Sequence, residues 1–140
     1  VVHDHYGWPT SPRFAWKPLD NAPLLELPVT TAKFAGRTLA AGGGGFFRML
    51  PYAFSQWAVR QVNGLGQPAI LYFHPWEIDP GQPRVADAPM RSKLRHYSRL
   101  SAMEGKLERL LGEFRWGRID TLVPQLAPLA EVTPSRSLAA

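Results

Sequence analysis

The feature that most constrains this chain is the run Ala69-Ile70-Leu71-Tyr72-Phe73, closed off by Pro68 and, after His74, by Pro75. An unbroken apolar run between prolines reads as a strand buried on both faces, as in a parallel sheet. Leu24 to Thr31 reads as a second strand, with Leu25, Leu27 and Val29 alternating with Glu26 and Pro28. Pro28 pushes that strand to an edge or cuts it short. A helix is expected from near Leu50 through Asn63, with Pro51 in its first turn and Asn63-Gly64 as its stop. Ser101-Ala102-Met103-Glu104 fits a capping box. An apolar stripe follows at helical spacing, made of Leu100, Met103, Leu107, Leu110, Leu111 and Phe114, with Gly117 ending the helix. Strand, helix, buried strand, helix is an α/β order. Two strands do not make a stable parallel sheet, so the pattern calls for strands that this sequence does not supply.

Composition narrows the class. With 140 residues one domain is expected, and 45% hydrophobic against 19% charged residues excludes wholesale disorder. The 14 prolines and 12 glycines imply long ordered loops or an incomplete domain. The absence of cysteine excludes disulfides, thiolate metal sites and a cysteine nucleophile. The net charge of +5 is scattered, apart from a cluster at Arg91, Lys93, Arg95, His96 and Arg99. Without an aromatic-interleaved basic repeat or zinc spacing, that cluster reads as a solvated face, and nucleic acid is not an expected partner. No apolar run approaches membrane-spanning length, so no membrane span is expected. Val1-Val2-His3-Asp4-His5 has no signal-peptide character, and the chain reads as though it begins inside a larger protein. Residues 3–23 read as an ordered loop, because Trp8, Phe14 and Trp16 want burial. The tail from Pro124 is expected to fray.

The stretch His74-Pro75-Trp76-Glu77-Ile78-Asp79 carries most of the chemistry. A His at the C-terminal end of a parallel strand points into the mouth where such sheets place their sites. Its ordinary titration near neutrality suits a general acid or base, and Glu77 or Asp79 could orient the ring. Spacing alone favours the plainer reading, a His that caps a strand. Trp76 could stack on a sugar ring or serve as core. The run Gly42 to Gly45 precedes a helix start but lacks the Lys-Ser/Thr of a phosphate-binding loop, so it reads as a tight loop shaping a cleft. His3-Asp4-His5 offers too few ligands for a metal site, and His96 reads as a surface or interhelix contact.

Several stretches together resemble one family. They are His3-Asp4-His5-Tyr6-Gly7, Leu25-Glu26-Leu27-Pro28 with Thr30-Thr31, Gly42 to Arg48 with Leu50-Pro51-Tyr52, Tyr72 to Pro80, and the helix from Arg95-His96-Tyr97 through Leu107 to Leu111 to Phe114-Arg115-Trp116-Gly117. The ordered set resembles the C-terminal region of the polysaccharide deacetylases associated with exosortase (PEP-CTERM) systems, which are NodB-homology enzymes. The resemblance implies a distorted (β/α) barrel, of which residues 1–89 would be the C-terminal part. It also implies a helical extension over 90–120, with 121–140 as a tail. It further implies a bacterial polysaccharide substrate and a divalent metal, zinc in most members, held by an Asp and two His with a second Asp as base. The motifs that supply those groups, Thr-Phe-Asp-Asp-Gly and His-x-x-x-His in type, do not occur in this sequence. No metal is therefore expected on this chain alone. The family's last motif is a strand ending in a His that protonates the leaving amine, and His74 matches it. With that match the general-acid reading moves ahead of the strand cap. The resemblance makes Gly43, Gly44, Arg48, Trp76 and Glu77 the expected lining of a glycan cleft. The competing expectation is a non-catalytic module that docks to polysaccharide-assembly partners through the helix over 100–114.

Overall fold

A computed structural model describes residues 11–19 and 21–132. In chain order the elements are β1 (Trp16–Lys17), β2 (Thr31–Phe34), β3 (Arg37–Ala40), α1 (Gly44–Met49) and α2 (Tyr52–Asn63). A 3-10 turn at Pro75–Glu77, α3 (Met90–Tyr97), a second 3-10 turn at Leu100–Ala102, α4 (Met103–Glu113), α5 (Ile119–Leu126) and β4 (Glu131–Val132) follow. The chain divides into two units, Val29–Arg115 and Val1–Pro28 together with Trp116–Ala140. The class is mixed α/β, with two sheets of two strands each among the described residues.

In the unit Val1–Pro28 with Trp116–Ala140, β1 pairs in parallel with β4, and Trp16 makes an antiparallel bridge to Glu26. Trp16 is buried, and its indole N–H has no hydrogen-bond partner among the described residues. The tail expected to fray from Pro124 is ordered at its start, since Pro124 lies inside α5, and residues 133–140 lie outside the described residues. One missing N–H is tolerated in a helix with no buried residue.

The unit Val29–Arg115 holds the cores. Leu24 to Thr31 is not a strand; regular pairing starts only at Thr31, and β2 turns through Ala35-Gly36 into antiparallel β3. Both turn residues have positive φ, +47° and +77°, as a two-residue hairpin of this hand requires. Ser55, Ala58, Val59 and Val62 form the buried stripe of α2 at helical spacing. Pro51 is the residue preceding that helix rather than part of its first turn. Phe47, Val59, Met103 and Leu110 form the larger core, with Leu71, Phe73 and Ile78 packed against it. Ala32, Ala41 and Ala58 form a second, where small side chains let β2 approach α2. The capping box at Ser101 is not made: α4 is preceded by Ala102 with no side-chain cap, after a left-handed Arg99. The α4 stripe is buried at Met103 and Leu110, whereas Leu111 turns outward at 53% exposure. Lys106 reaches from α4 to donate to the carbonyls of Phe47, Arg48 and Leu50 at 3.2, 3.0 and 2.7 Å. It thereby satisfies the acceptors that the end of α1 leaves open.

Ala69 to Phe73 is extended, but it is not a strand buried on both faces. Ala69, Leu71 and Phe73 pack against the core, while Tyr72 is 53% exposed. Its backbone is paired on one edge. Thr30 N–H donates to Ile70 O at 2.9 Å, Tyr72 N–H to Gly42 O at 2.8 Å, and Gly44 N–H to Tyr72 O at 3.0 Å. In a parallel arrangement alternate residues point their N–H and C=O to opposite edges. The backbone groups of Ala69, Leu71 and Phe73 accordingly face the other edge, where no backbone partner is found among the described residues.

That pairing explains half of the glycine run. A Cβ on Gly42 would lie 2.6 Å from Ile70 O and 2.7 Å from Thr30 N, both backbone atoms that cannot swing away. A Cβ on Gly44 would fall on the Glu77 carboxylate. Gly45 has nothing within 4 Å and sits in a helix. Gly42→Ala should therefore destabilise the chain by ~1–3 kcal/mol. Gly45→Ala should leave it unchanged or raise stability by ~0.5–1 kcal/mol through lost unfolded-state entropy. Thermal melting of the two variants checks this, and equal effects would refute the assignment.

Candidate functional site

The site is built where the extended segment ends. Tyr72 and His74 are two residues apart on it, so their side chains share a face. Their rings meet edge-on with centroids 4.5 Å apart, and the Tyr72 hydroxyl lies 3.4 Å from His74 Nδ1. Pro75 then starts the 3-10 turn, which folds Trp76 back over His74. The indole and imidazole stack at 4.1 Å with an 11° interplanar angle. His96, from α3, lies 6.5 Å from Trp76 and meets Tyr97 edge-on at 4.9 Å. Five aromatic rings thus form one connected row, with Tyr72 and Trp76 exposed by 53% and 44%.

Two buried polar links hold this row. Arg48 is 2% exposed and its Nη1 lies 3.3 Å from Glu77 Oε1, while Nη2 donates to Arg95 O at 2.6 Å. Glu77, 7% exposed, accepts the backbone N–H of His74 at 3.0 Å through Oε2. One ion pair therefore ties α1, the His74 turn and α3 together. The second link is Gln82, 8% exposed, whose amide nitrogen donates to the carbonyls of Trp76 and Asp79 at 2.6 and 3.3 Å. Both partners are acceptors only, so Gln82 Oε1 is left facing His96 Nε2 at 2.9 Å. His96 Nε2 must donate there, since an amide oxygen only accepts.

The expected lining therefore separates into two groups. His74 and Trp76 are accessible and adjacent. Gly43 is partly buried beside them, bridged to Tyr72, and Gly44 is buried against the Glu77 carboxylate. Arg48 and Glu77 are buried and bonded to each other and to backbone groups, so they position the turn rather than face solvent, and Arg48 Nε is left without a partner among the described residues. His3-Asp4-His5 lies outside the described residues.

A family model described as Domain of unknown function (DUF3473) matches residues 1–124. The chain belongs to this family. No curated protein and no solved structure matches it. In this DUF3473 chain the described residues do not fit the divalent metal that the resemblance implies. Glu77 is consumed by Arg48 and the His74 amide, and His96 Nε2 by Gln82. No group of three or more His, Cys, Asp or Glu side chains able to hold a metal ion occurs among the described residues. Among those residues no helix of the DUF3473 chain is long and apolar enough to cross a membrane.

Sequence reasoning missed Gln82 and the joining of His96 and Tyr97 to the row. A glutamine in a Pro/Gly-rich loop carries no periodic signal, and the contact spans 14 residues between Gln82 and His96. The one available hint was that His and Tyr adjoin at 96–97 in a chain already rich in aromatics at 72–76.

Proposed function

We propose that this chain supplies one wall of the active site of a metal-dependent carbohydrate N-deacetylase acting on a bacterial polysaccharide, with His74 as the general acid. The observation that carries the reading is the placement of His74. It follows an extended apolar segment, its backbone is pinned by a buried carboxylate, and its ring is stacked beside an exposed tryptophan. A ring held in this way can offer a proton to a departing amine while the neighbouring indole covers an apolar sugar face. The catalytic metal would be held by residues other than those described here.

In this reading the segment over 69–73 is a barrel strand, and its open edge is where the next strand adds. The amides of Leu71 and Phe73 should then exchange rapidly in the 140-residue chain, while those of Thr30 and Tyr72 stay protected. In a protein that joins this chain to the metal-binding half, Leu71 and Phe73 should become protected as well. Exchange that stays fast in the joined protein removes the barrel from the proposal. The activity itself is tested by acetate release from an N-acetylated oligosaccharide by that joined protein, and no release under saturating zinc would sink it.

The docking-module reading finds no favouring observation, because Leu100, Met103 and Leu110 are buried within the chain's own unit.

A further inference from the structure

The basic cluster is more than a scattered face. Between Gln82 and Arg99 the chain has Arg84, Arg91, Lys93, Arg95 and Arg99 against the single carboxylate of Asp87, so most of the net charge of +5 is gathered here. The loop before α3 and α3 itself enclose an open cavity of about 320 Å³ lined by Val85, Ala88, Ser92, Arg95, His96 and Tyr97. Its shape is held by several ties. The Tyr97 hydroxyl accepts Val85 N–H at 3.1 Å, Lys93 Nζ donates to Ala86 O at 2.6 Å, and Arg84 lies over the Tyr97 ring at 5.2 Å. The Arg95 carbonyl is anchored by buried Arg48, which sets where its side chain emerges. The Arg95 guanidinium and the Ser92 hydroxyl make no hydrogen bond or ion pair among the described residues.

An open cavity lined by two small apolar side chains, two aromatic rings, a free hydroxyl and an unpaired guanidinium matches a sugar ring bearing a carboxylate. The guanidinium fork offers two parallel donors to a carboxylate, the aromatic side chains of His96 and Tyr97 offer apolar surface to ring C–H groups, and Ser92 can serve a sugar hydroxyl. The wall is also part of the aromatic row, which runs from His96 through Trp76 to His74. We propose that this cavity is a subsite for an acidic sugar, a hexuronate unit of the glycan, lying beside the unit held at Trp76. This deepens the proposed function and rests on its glycan reading.

The test titrates the 140-residue chain with a tetramer of galacturonate and, separately, with a neutral tetramer of N-acetylglucosamine, following intrinsic tryptophan fluorescence. The acidic tetramer should bind more tightly. Arg95→Gln should weaken it by about tenfold or more while leaving the neutral tetramer unchanged. Arg95 gives only its backbone carbonyl to the fold, so this variant keeps the native contacts. Ser92→Glu, which places a carboxylate in the cavity, should abolish acidic binding and spare neutral binding. Equal affinity for the two tetramers, with Trp76→Ala abolishing both, would overturn the subsite and leave the glycan reading standing. Binding of neither tetramer would overturn both. Equal competition by a non-sugar polyanion such as polyglutamate would reduce the cavity to general surface charge and overturn the subsite.

Discussion

His74→Ala, in a protein that joins this chain to the metal-binding half, is expected to lower kcat for deacetylation by ~10²–10⁴-fold, the usual contribution of a positioned general acid. The loss should fall on kcat because an amine leaves poorly until it is protonated, whereas the ground-state glycan is held elsewhere. Zinc content should not change, since the proposal gives His74 the role of acid and leaves metal binding to an Asp and two His of other motifs. Trp76→Ala should behave differently and raise KM, because an indole that is 44% exposed is free to cover a sugar ring. Steady-state acetate release with metal analysis in parallel separates these outcomes. Near wild-type kcat in His74→Ala would return His74 to a strand-capping role, and loss of the metal would make it a ligand instead.

Arg48→Met should destabilise the chain by ~3–5 kcal/mol, the cost of leaving one member of a buried ion pair alone. The Arg48 side chain is 3% exposed, and removing its charge strands the Glu77 carboxylate, whose side chain is 9% exposed. It also removes the donor that satisfies the Arg95 carbonyl. At about 3 °C per kcal/mol for a chain of 140 residues, the thermal midpoint should fall by roughly 10 °C or more. The double variant Arg48→Met with Glu77→Gln should recover part of this, because no charge is then buried unpaired. The amide introduced by Glu77→Gln keeps an oxygen for the His74 N–H. If Arg48→Met melts with the parent, the ion pair is peripheral and the turn is held by Gln82 alone. The same variant separates positioning from contact in the joined protein. An Arg48 that touched substrate would change KM at temperatures well below the melt, whereas one that positions the turn should act through the His74 geometry and lower kcat.

How much could be read without coordinates depends on the range of each interaction. The α2 helix was legible because Pro51 stands near its start, Tyr52, Phe54, Trp57, Ala58 and Val62 carry apolar character along it, and Asn63-Gly64 marks its end, although only Ala58 and Val62 of those apolar residues are buried, together with Ser55 and Val59. The α4 core stripe was legible for the same reason, except at Leu111, where two faces compete and the outer one won. The hairpin of β2 and β3 was missed because Ala35 accepts a left-handed φ of +47° that alanine rarely adopts, so no Asn-Gly signature announced the turn. The capping box at Ser101 failed because Arg99 turns left-handed and a 3-10 turn precedes α4, moving the helix start past the serine.

Local pattern alone marks out an α/β chain of alternating extended and helical segments, without cysteine chemistry, in which His74 follows the unbroken apolar run Ala69–Phe73. These are local properties, set by backbone propensity and by the period of side-chain burial. Only the tertiary structure decided what Arg48, Glu77 and Gln82 do. Polar residues carry no periodic mark of whether they face solvent or each other, and Arg48 meets Glu77 across 29 residues of chain. Tertiary structure likewise decided that Gly42 and Gly44 are required by backbone and carboxylate neighbours, while Gly45 is not. It also brought His96 and Tyr97 to the end of the row that starts at Tyr72. The physical reason is the same in each case. Burial converts a flexible polar side chain into a fixed one only when a distant partner satisfies it, and that partner is chosen by packing, not by spacing.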